Sequence, residues 1–227
     1  MPALAYLLYM HNKYTTMESK IIFALDVYDY NTAVDLARTV GEKVFAIKIN
    51  WPVILENGIK IVRDLSKYAN IICDFKLADI DNTVSMITTK VKEYGGYGII
   101  SHSFTGLNSL KAVVKSAGNM KVFSVVSMSQ ESYLDNITEE LIKISMEAGV
   151  YGLVAPGNRP YYLKKVKELS EGLKIISPGV GAQGGDIVNA MLLGSDYVII
   201  GRSIYNSPDP LETLEGFSSS INNKLNK

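Results

Sequence analysis

From residue 20 onward the chain alternates between short apolar runs and longer stretches with helical spacing. The apolar runs cover 21–25, 44–49, 71–75, 97–101, 121–126, 151–155, 174–177 and 197–200. Near-continuous apolar runs of this length are the mark of strands buried on both faces, as in a parallel sheet. Between them, Ala33, Val34, Ala37 and Val40 recur at helical spacing, and Gly41 follows in a C-cap position. Val84, Ile87 and Val91 repeat the pattern ahead of Gly95-Gly96. Eight strand-like runs alternating with helices predict parallel β/α units. In a chain of 227 residues they fit an α/β fold of the (β/α)8 TIM-barrel type, whose lower size limit is about 200 residues. A doubly wound open sheet is the alternative. No Pro/Gly linker or shift of composition divides the chain, so residues 20–227 read as a single domain.

Residues 1–19 stand apart from this pattern. The segment Ala3-Leu4-Ala5-Tyr6-Leu7-Leu8-Tyr9-Met10 is apolar, but a membrane span needs roughly 20 such residues. It lacks the basic start and small-residue cleavage site of a signal peptide. It reads as an N-terminal extension of open structure, and no membrane partner is expected.

Composition narrows the function by exclusion. Lys+Arg and Asp+Glu both number 23, giving a net charge of zero. With no basic block and no nucleic-acid motif, no nucleic-acid partner is expected. Cys73 is the one cysteine, which rules out an internal disulfide framework and fits a reducing, cytoplasmic setting. Its position in the alternation turns it toward the helices rather than into a site.

The charged residues at strand ends carry the candidate chemistry. In Cys73-Asp74-Phe75-Lys76-Leu77-Ala78-Asp79, strand alternation puts Asp74 and Lys76 on one face. Two opposite charges on an otherwise buried strand are costly unless they are paired, so a bland structural role is unattractive. Asp79 adds a second carboxylate just past the strand. Asp26 shares the face of Ile22 and Ala24 on the first run, and Lys48 shares that of Val44 and Ala46 on the second. In a barrel these residues meet at the C-terminal rim, where functional side chains gather. A salt-bridge network without chemistry is the bland alternative for each residue alone. Together, on the catalytic face, they predict a site. His102 also ends a strand run, but no carboxylate partner is evident for it.

Two glycine-containing loops lie late in the chain. Ser177-Pro178-Gly179-Val180-Gly181-Ala182-Gln183-Gly184-Gly185-Asp186 follows the seventh run, and Gly201-Arg202-Ser203 follows the eighth. Loops in these two places form the usual phosphate cradle of such barrels. Glycine lets backbone N–H groups approach an anion, and Arg202 supplies a bidentate cation. The glycines of the first loop also make it a candidate mobile lid.

These residues, with Ala24-Leu25-Asp26, Ile80, Asn82-Thr83, Met128-Ser129 and Val154-Ala155-Pro156, resemble the orotidine 5′-monophosphate decarboxylase family in its short prokaryotic branch. The resemblance runs from about residue 21 to about 205. It implies a lyase that converts orotidine 5′-monophosphate to UMP and CO2 with no metal or organic cofactor. Lys48, Asp74, Lys76 and Asp79 would form an alternating charge network, with Lys76 protonating the carbanion left at C6. Asp26 and Lys48 would hold the ribose hydroxyls, and Ser129 and Gln183 would read the pyrimidine. Gln183, Arg202 and the Gly201 backbone would hold the phosphate. Ile80 and Pro178 would line the apolar part of the pocket. The resemblance also implies a homodimer in which Asp79 and Thr83 reach into the partner's site.

The chain departs from the family pattern in places. Asp81 stands where many members have proline, and its side chain is suited to cap the following helix. Asn50 replaces a glycine often found two residues after the first lysine, and Gln130-Glu131 replaces a smaller turn. The enzyme rival is a magnesium-dependent 3-keto-L-gulonate 6-phosphate decarboxylase or hexulose-phosphate synthase, which shares the Asp-x-Lys-x-x-Asp spacing. Residues 80–83 and the Gln183 loop argue against it. The rival from another class, a silent nucleotide-binding module, would be marked by loss of Asp74 or Lys76, and both are present.

Overall fold

The structure is a computed structural model and describes residues 19–225. Apart from Ser19, the N-terminal extension expected over residues 1–19 lies outside the described residues. Eight strands form a closed barrel in sequence order. They are β1 (Ile21–Ala24), β2 (Ala46–Asn50), β3 (Ile71–Leu77), β4 (Gly98–His102), β5 (Lys121–Val125), β6 (Gly152–Val154), β7 (Lys174–Ser177) and β8 (Tyr197–Ile200). Every neighbouring pair is parallel, and β1 pairs with both β2 and β8. That closure rules out the open doubly wound sheet. All eight apolar runs became strands, with β2 beginning two residues later than expected and β3 running two residues further.

The connecting helices are α1 (Tyr30–Val40), α2 (Trp51–Asn57), α3 (Lys60–Leu65), α4 (Asp81–Glu93), α5 (Leu107–Ala117), α6 (Thr138–Ala148), α7 (Pro160–Leu169), α8 (Ile187–Leu192), α9 (Arg202–Tyr205) and α10 (Pro210–Leu225). Asp29 caps α1 by accepting from the Thr32 N–H at 2.8 Å, and Ala33, Ala37 and Val40 bury its inner stripe. Gly41 takes the expected C-cap position, its N–H donating to the Ala37 carbonyl. Its φ is −58°, and the chain runs on through a tight 3-10 turn over Gly41–Lys43. Glycine is needed there for space, because a Cβ would lie 2.5 Å from the Tyr68 carbonyl oxygen. Asp81, expected as a cap, is instead the first residue of α4, with Ile80 at the cap position. The Asp81 Oδ1 accepts from the Asn82 N–H at 2.8 Å.

The core has two shells. Ile21, Phe23, Ile47, Ile71 and their like face outward under the helices, where Cys73 also lies fully buried. Ile22, Ala46, Ile72, Phe123 and Ile176 fill the barrel interior. At the N-terminal end Phe45 stacks on Tyr197 with ring centroids 3.9 Å apart and meets Tyr97 edge-on. This aromatic floor closes the bottom of the barrel, so the interior opens toward the C-terminal ends of the strands.

Candidate active site

The inward positions of β2 read Ala46, Lys48, Asn50, and those of β3 read Ile72, Asp74. Near the mouth the apolar filling therefore gives way to charge. Asp74 is 8% exposed and sits between two ammonium groups. Lys76 Nζ lies 2.7 Å from Asp74 Oδ1 and 2.8 Å from Oδ2. Lys48 Nζ lies 3.1 Å from Asp74 Oδ2 and 3.9 Å from Asp26 Oδ1. Burial alone works to raise the Asp74 carboxyl, but Lys48 and Lys76 outweigh it and hold the group below its usual range. Asp74 is thus a buried carboxylate kept ionised by two cations.

β3 delivers Lys76 in an unusual way. Its φ is +43°, a left-handed conformation that costs a side-chain-bearing residue roughly 1–2 kcal/mol. The pairing with β4 slips between Cys73 and Leu77. Regular alternation was thus the right guide to the face of Lys76, though the strand is bulged where it presents the ammonium. Strain of this kind persists where surrounding structure overdetermines it, often at functional sites.

The network lines one wall of a cavity of about 320 Å³. Asp26, Lys48, Asp74 and Lys76 meet Ser129, Pro178, Gln183, Gly201 and Arg202 around it. Nine of the twelve residues singled out in the sequence therefore converge. The glycine loop is held by Gly181 N–H to the Gly185 carbonyl at 2.9 Å and Gly185 N–H to the Gly179 carbonyl at 3.1 Å. Glycine is required at 179, where φ is +91° and a Cβ would collide with Asn158.

Asp79, Ile80 and Thr83 are not brought to this cavity by their own chain. Past Leu77 the chain leaves the barrel and turns into α4. Asp79 is exposed, with its Oδ1 accepting from the Ile80 N–H at 2.7 Å. Ile80 is 67% exposed. The expectation of a second carboxylate at the same strand mouth is thus corrected for a single chain: Asp79 makes no ion pair with Lys76 there.

His102 is half-buried at the end of β4. Burial, and secondarily the charge of Lys76, push its imidazole down to about 4, so near pH 7 it is neutral and lacks the acidic imidazolium proton of a general acid. Burial pushes the Cys73 thiol up to about 12, consistent with an inert packing role.

Sequence reasoning missed the bracing of the Ser129 loop. Arg159 makes a bidentate pair with Asp135 at 2.9 and 2.8 Å and donates to the Met128 and Gln130 carbonyls at 3.1 Å each. Its guanidinium holds the Asp135 carboxyl below the usual range. Asn158 donates to the Ser129 carbonyl at 3.0 Å. No local spacing announces a pair 24 residues apart; only the meeting of the loops after β5 and β6 creates it. Among the described residues, no group of three or more His, Cys, Asp or Glu is placed to hold a metal ion. No described helix is long and apolar enough to cross a membrane.

Comparison with known proteins adds a consistent picture. Residues 19–217 match the family described as orotidine 5′-phosphate decarboxylase / HUMPS. The chain is 45% identical over 206 residues to an orotidine 5′-phosphate decarboxylase of Thermoplasma acidophilum, covering 90% of this chain and 96% of that protein. It is 48% identical over 196 residues to that of Thermoplasma volcanium, covering 86% and 89%. Among solved structures, the orotidine 5′-monophosphate decarboxylase of Methanocaldococcus jannaschii, complexed with the inhibitor BMP, superposes with a TM-score of 0.85 at 37% identity. It covers 90% of this chain and 99% of the other. The enzyme from Pyrococcus horikoshii gives 0.83 at 38% identity, covering 89% and 99%.

Proposed function

This chain belongs to the orotidine 5′-phosphate decarboxylase / HUMPS family, and from that premise we propose how its barrel mouth converts orotidine 5′-monophosphate to UMP and CO2. The chain is a decarboxylase of the orotidine 5′-phosphate type, acting in pyrimidine biosynthesis. The observation that carries the mechanism is Asp74, clamped by Lys76 at 2.7 Å and Lys48 at 3.1 Å on the cavity wall.

The chemistry follows from that charge set. Breaking the C6–carboxylate bond leaves its electron pair on C6, in the ring plane and without ordinary delocalisation. Fixed electrostatics must stabilise that pair. The Lys76 ammonium neutralises the developing carbanion and passes its proton to C6, giving UMP; solvent then restores the proton to Lys76. An ionised Asp74 facing the substrate carboxylate repels it. Two like charges ~4 Å apart at an effective dielectric near 20 interact by about 4 kcal/mol, and that repulsion is relieved as CO2 departs. Stabilisation by Lys76 is the core of the reading, and it requires no metal or organic cofactor.

The remaining assignments follow the cavity walls. Asp26 and Lys48 take the ribose hydroxyls. Ser129 and Gln183 read the pyrimidine edge, with Pro178 against its apolar part. Gln183, Arg202 and the Gly201 backbone grip the phosphate, whose remote binding energy helps hold the glycine loop closed. Asp79, Ile80 and Thr83 do not line their own cavity, which supports a two-fold homodimer in which they complete the partner's site. A cytoplasmic setting suits a chain with one buried, unreactive cysteine. The test is loss of substrate absorbance when orotidine 5′-monophosphate is added to chelator-treated protein. Activity that vanishes with EDTA and returns with magnesium would instead favour the enediolate chemistry of the HUMPS branch.

A further inference from the structure

Asn50 is a polar residue in this cavity that the charge network does not use. It continues the inward series of β2 two residues beyond Lys48, pairs in register with Asp74, and lines the cavity. Asparagine at the start of a helix ordinarily spends its side-chain oxygen on a helix N–H. Asn50 stands at the cap position of α2, yet its side chain makes no cap bond. Its Oδ1 is buried and has no hydrogen-bond partner. The same is true of Asp26 Oδ1, whose nearest cation, Lys48 Nζ at 3.9 Å, is beyond hydrogen-bond reach.

Two buried acceptors therefore belong to residues that line the same cavity as Lys48, and buried acceptors left without donors are costly. A vicinal diol presents two O–H donors to such a pair. We propose that Asn50 is a ribose-binding residue whose Oδ1 accepts from one sugar hydroxyl while Asp26 accepts from the other, so that the site favours a ribonucleotide over a deoxyribonucleotide. This rests on the proposed function. A pocket built to hydrogen-bond a hydroxyl discriminates against the ligand lacking it, because its own polar group is then left unpaired.

The experiment is calorimetric binding of UMP, 2′-deoxy-UMP and 3′-deoxy-UMP to the wild type and to Asn50→Gly. Glycine is tolerated at a helix cap nearly as well as asparagine, so the variant folds, and a thermal melt checks that it does. Asn50→Gly is expected to lose about fivefold in affinity for UMP, the size of one hydrogen bond. It should lose nothing for the analogue missing the hydroxyl that Asn50 contacts. An equal loss for all three ligands would assign Asn50 to shaping the loop rather than holding the sugar, and no loss for any would remove it from the site; either result overturns the inference. Wild-type protein that binds none of the three would overturn the proposed function along with it.

Discussion

Replacing Lys76 by alanine is predicted to stop turnover while leaving a folded protein that still binds UMP. A cation ~4 Å from the developing carbanion at an effective dielectric near 20 contributes about 4 kcal/mol, close to a thousandfold in rate. Loss of the proton donor adds a factor of about 10² to 10⁴, so the combined loss is on the order of 10⁵ or more. Stability changes less. Breaking a buried ion pair outright costs roughly 3–5 kcal/mol, but Asp74 keeps Lys48 at 3.1 Å, and the Lys76 side chain is 39% exposed. Solvent screening and the remaining partner reduce the expected cost to about 1–2 kcal/mol. Lys76→Gly separates strain from charge. It loses the same ammonium but accepts the +43° φ without a Cβ penalty, and should be about 1 kcal/mol more stable than Lys76→Ala. Single-turnover absorbance, UMP calorimetry and thermal melts on both variants provide the readouts. Turnover within about tenfold of wild type, or roughly 1.4 kcal/mol of barrier, would place the electrophile elsewhere. A glycine variant no more stable than the alanine variant would refute the strain.

Arg202→Ala is predicted to weaken binding of the nucleotide strongly while sparing the nucleoside; equal losses for orotidine and its phosphate ester would reject the phosphate role. Mixing inactive Asp79→Ala protein with inactive Lys76→Ala protein, under verified subunit exchange, should restore activity up to about half the wild-type value per heterodimer, because one site collects both lesions and the other neither. No recovery would confine Asp79 to its own chain. His102→Gln should flatten the acid limb of stability. Below about pH 6.5 the unfolded chain takes up a proton that the folded imidazole, held near 4, refuses, so wild-type stability falls as pH drops through that window. After allowing for solvent screening, the difference between wild type and variant should reach about 2 kcal/mol near pH 4, read as pH-dependent melting; parallel profiles would contradict the burial of a neutral imidazole.

The barrel was legible because its strands are buried on both faces, which leaves apolar runs such as Ile71-Ile72-Cys73 with little ambiguity. The charges at the mouth were legible for the complementary reason: Lys48 and Asp74 interrupt those runs at positions whose parity points inward. Parity could not show how Lys76 is presented, since a bulge and a left-handed residue are properties of the pairing with β4. Nor could it place Asp79, Ile80 and Thr83, because motif proximity along the chain says nothing about where the chain goes once it leaves the strand. Arg159 and Asp135 were invisible for a third reason. Each is an unremarkable surface charge until two loops fold against each other. Asn50 was visible only as a departure from a family pattern, and its unpaired carboxamide oxygen gives that departure a physical meaning.

The central claim, a carbanion at C6 protonated by Lys76 without a metal, is tested most directly by running the reaction in deuterium oxide with chelator-treated protein. The predicted result is stoichiometric CO2 and UMP carrying one deuterium at C6, formed by the wild type and not by Lys76→Ala. Failure of the chelator-treated wild type to release CO2, or UMP formed with no deuterium at C6, would contradict the account.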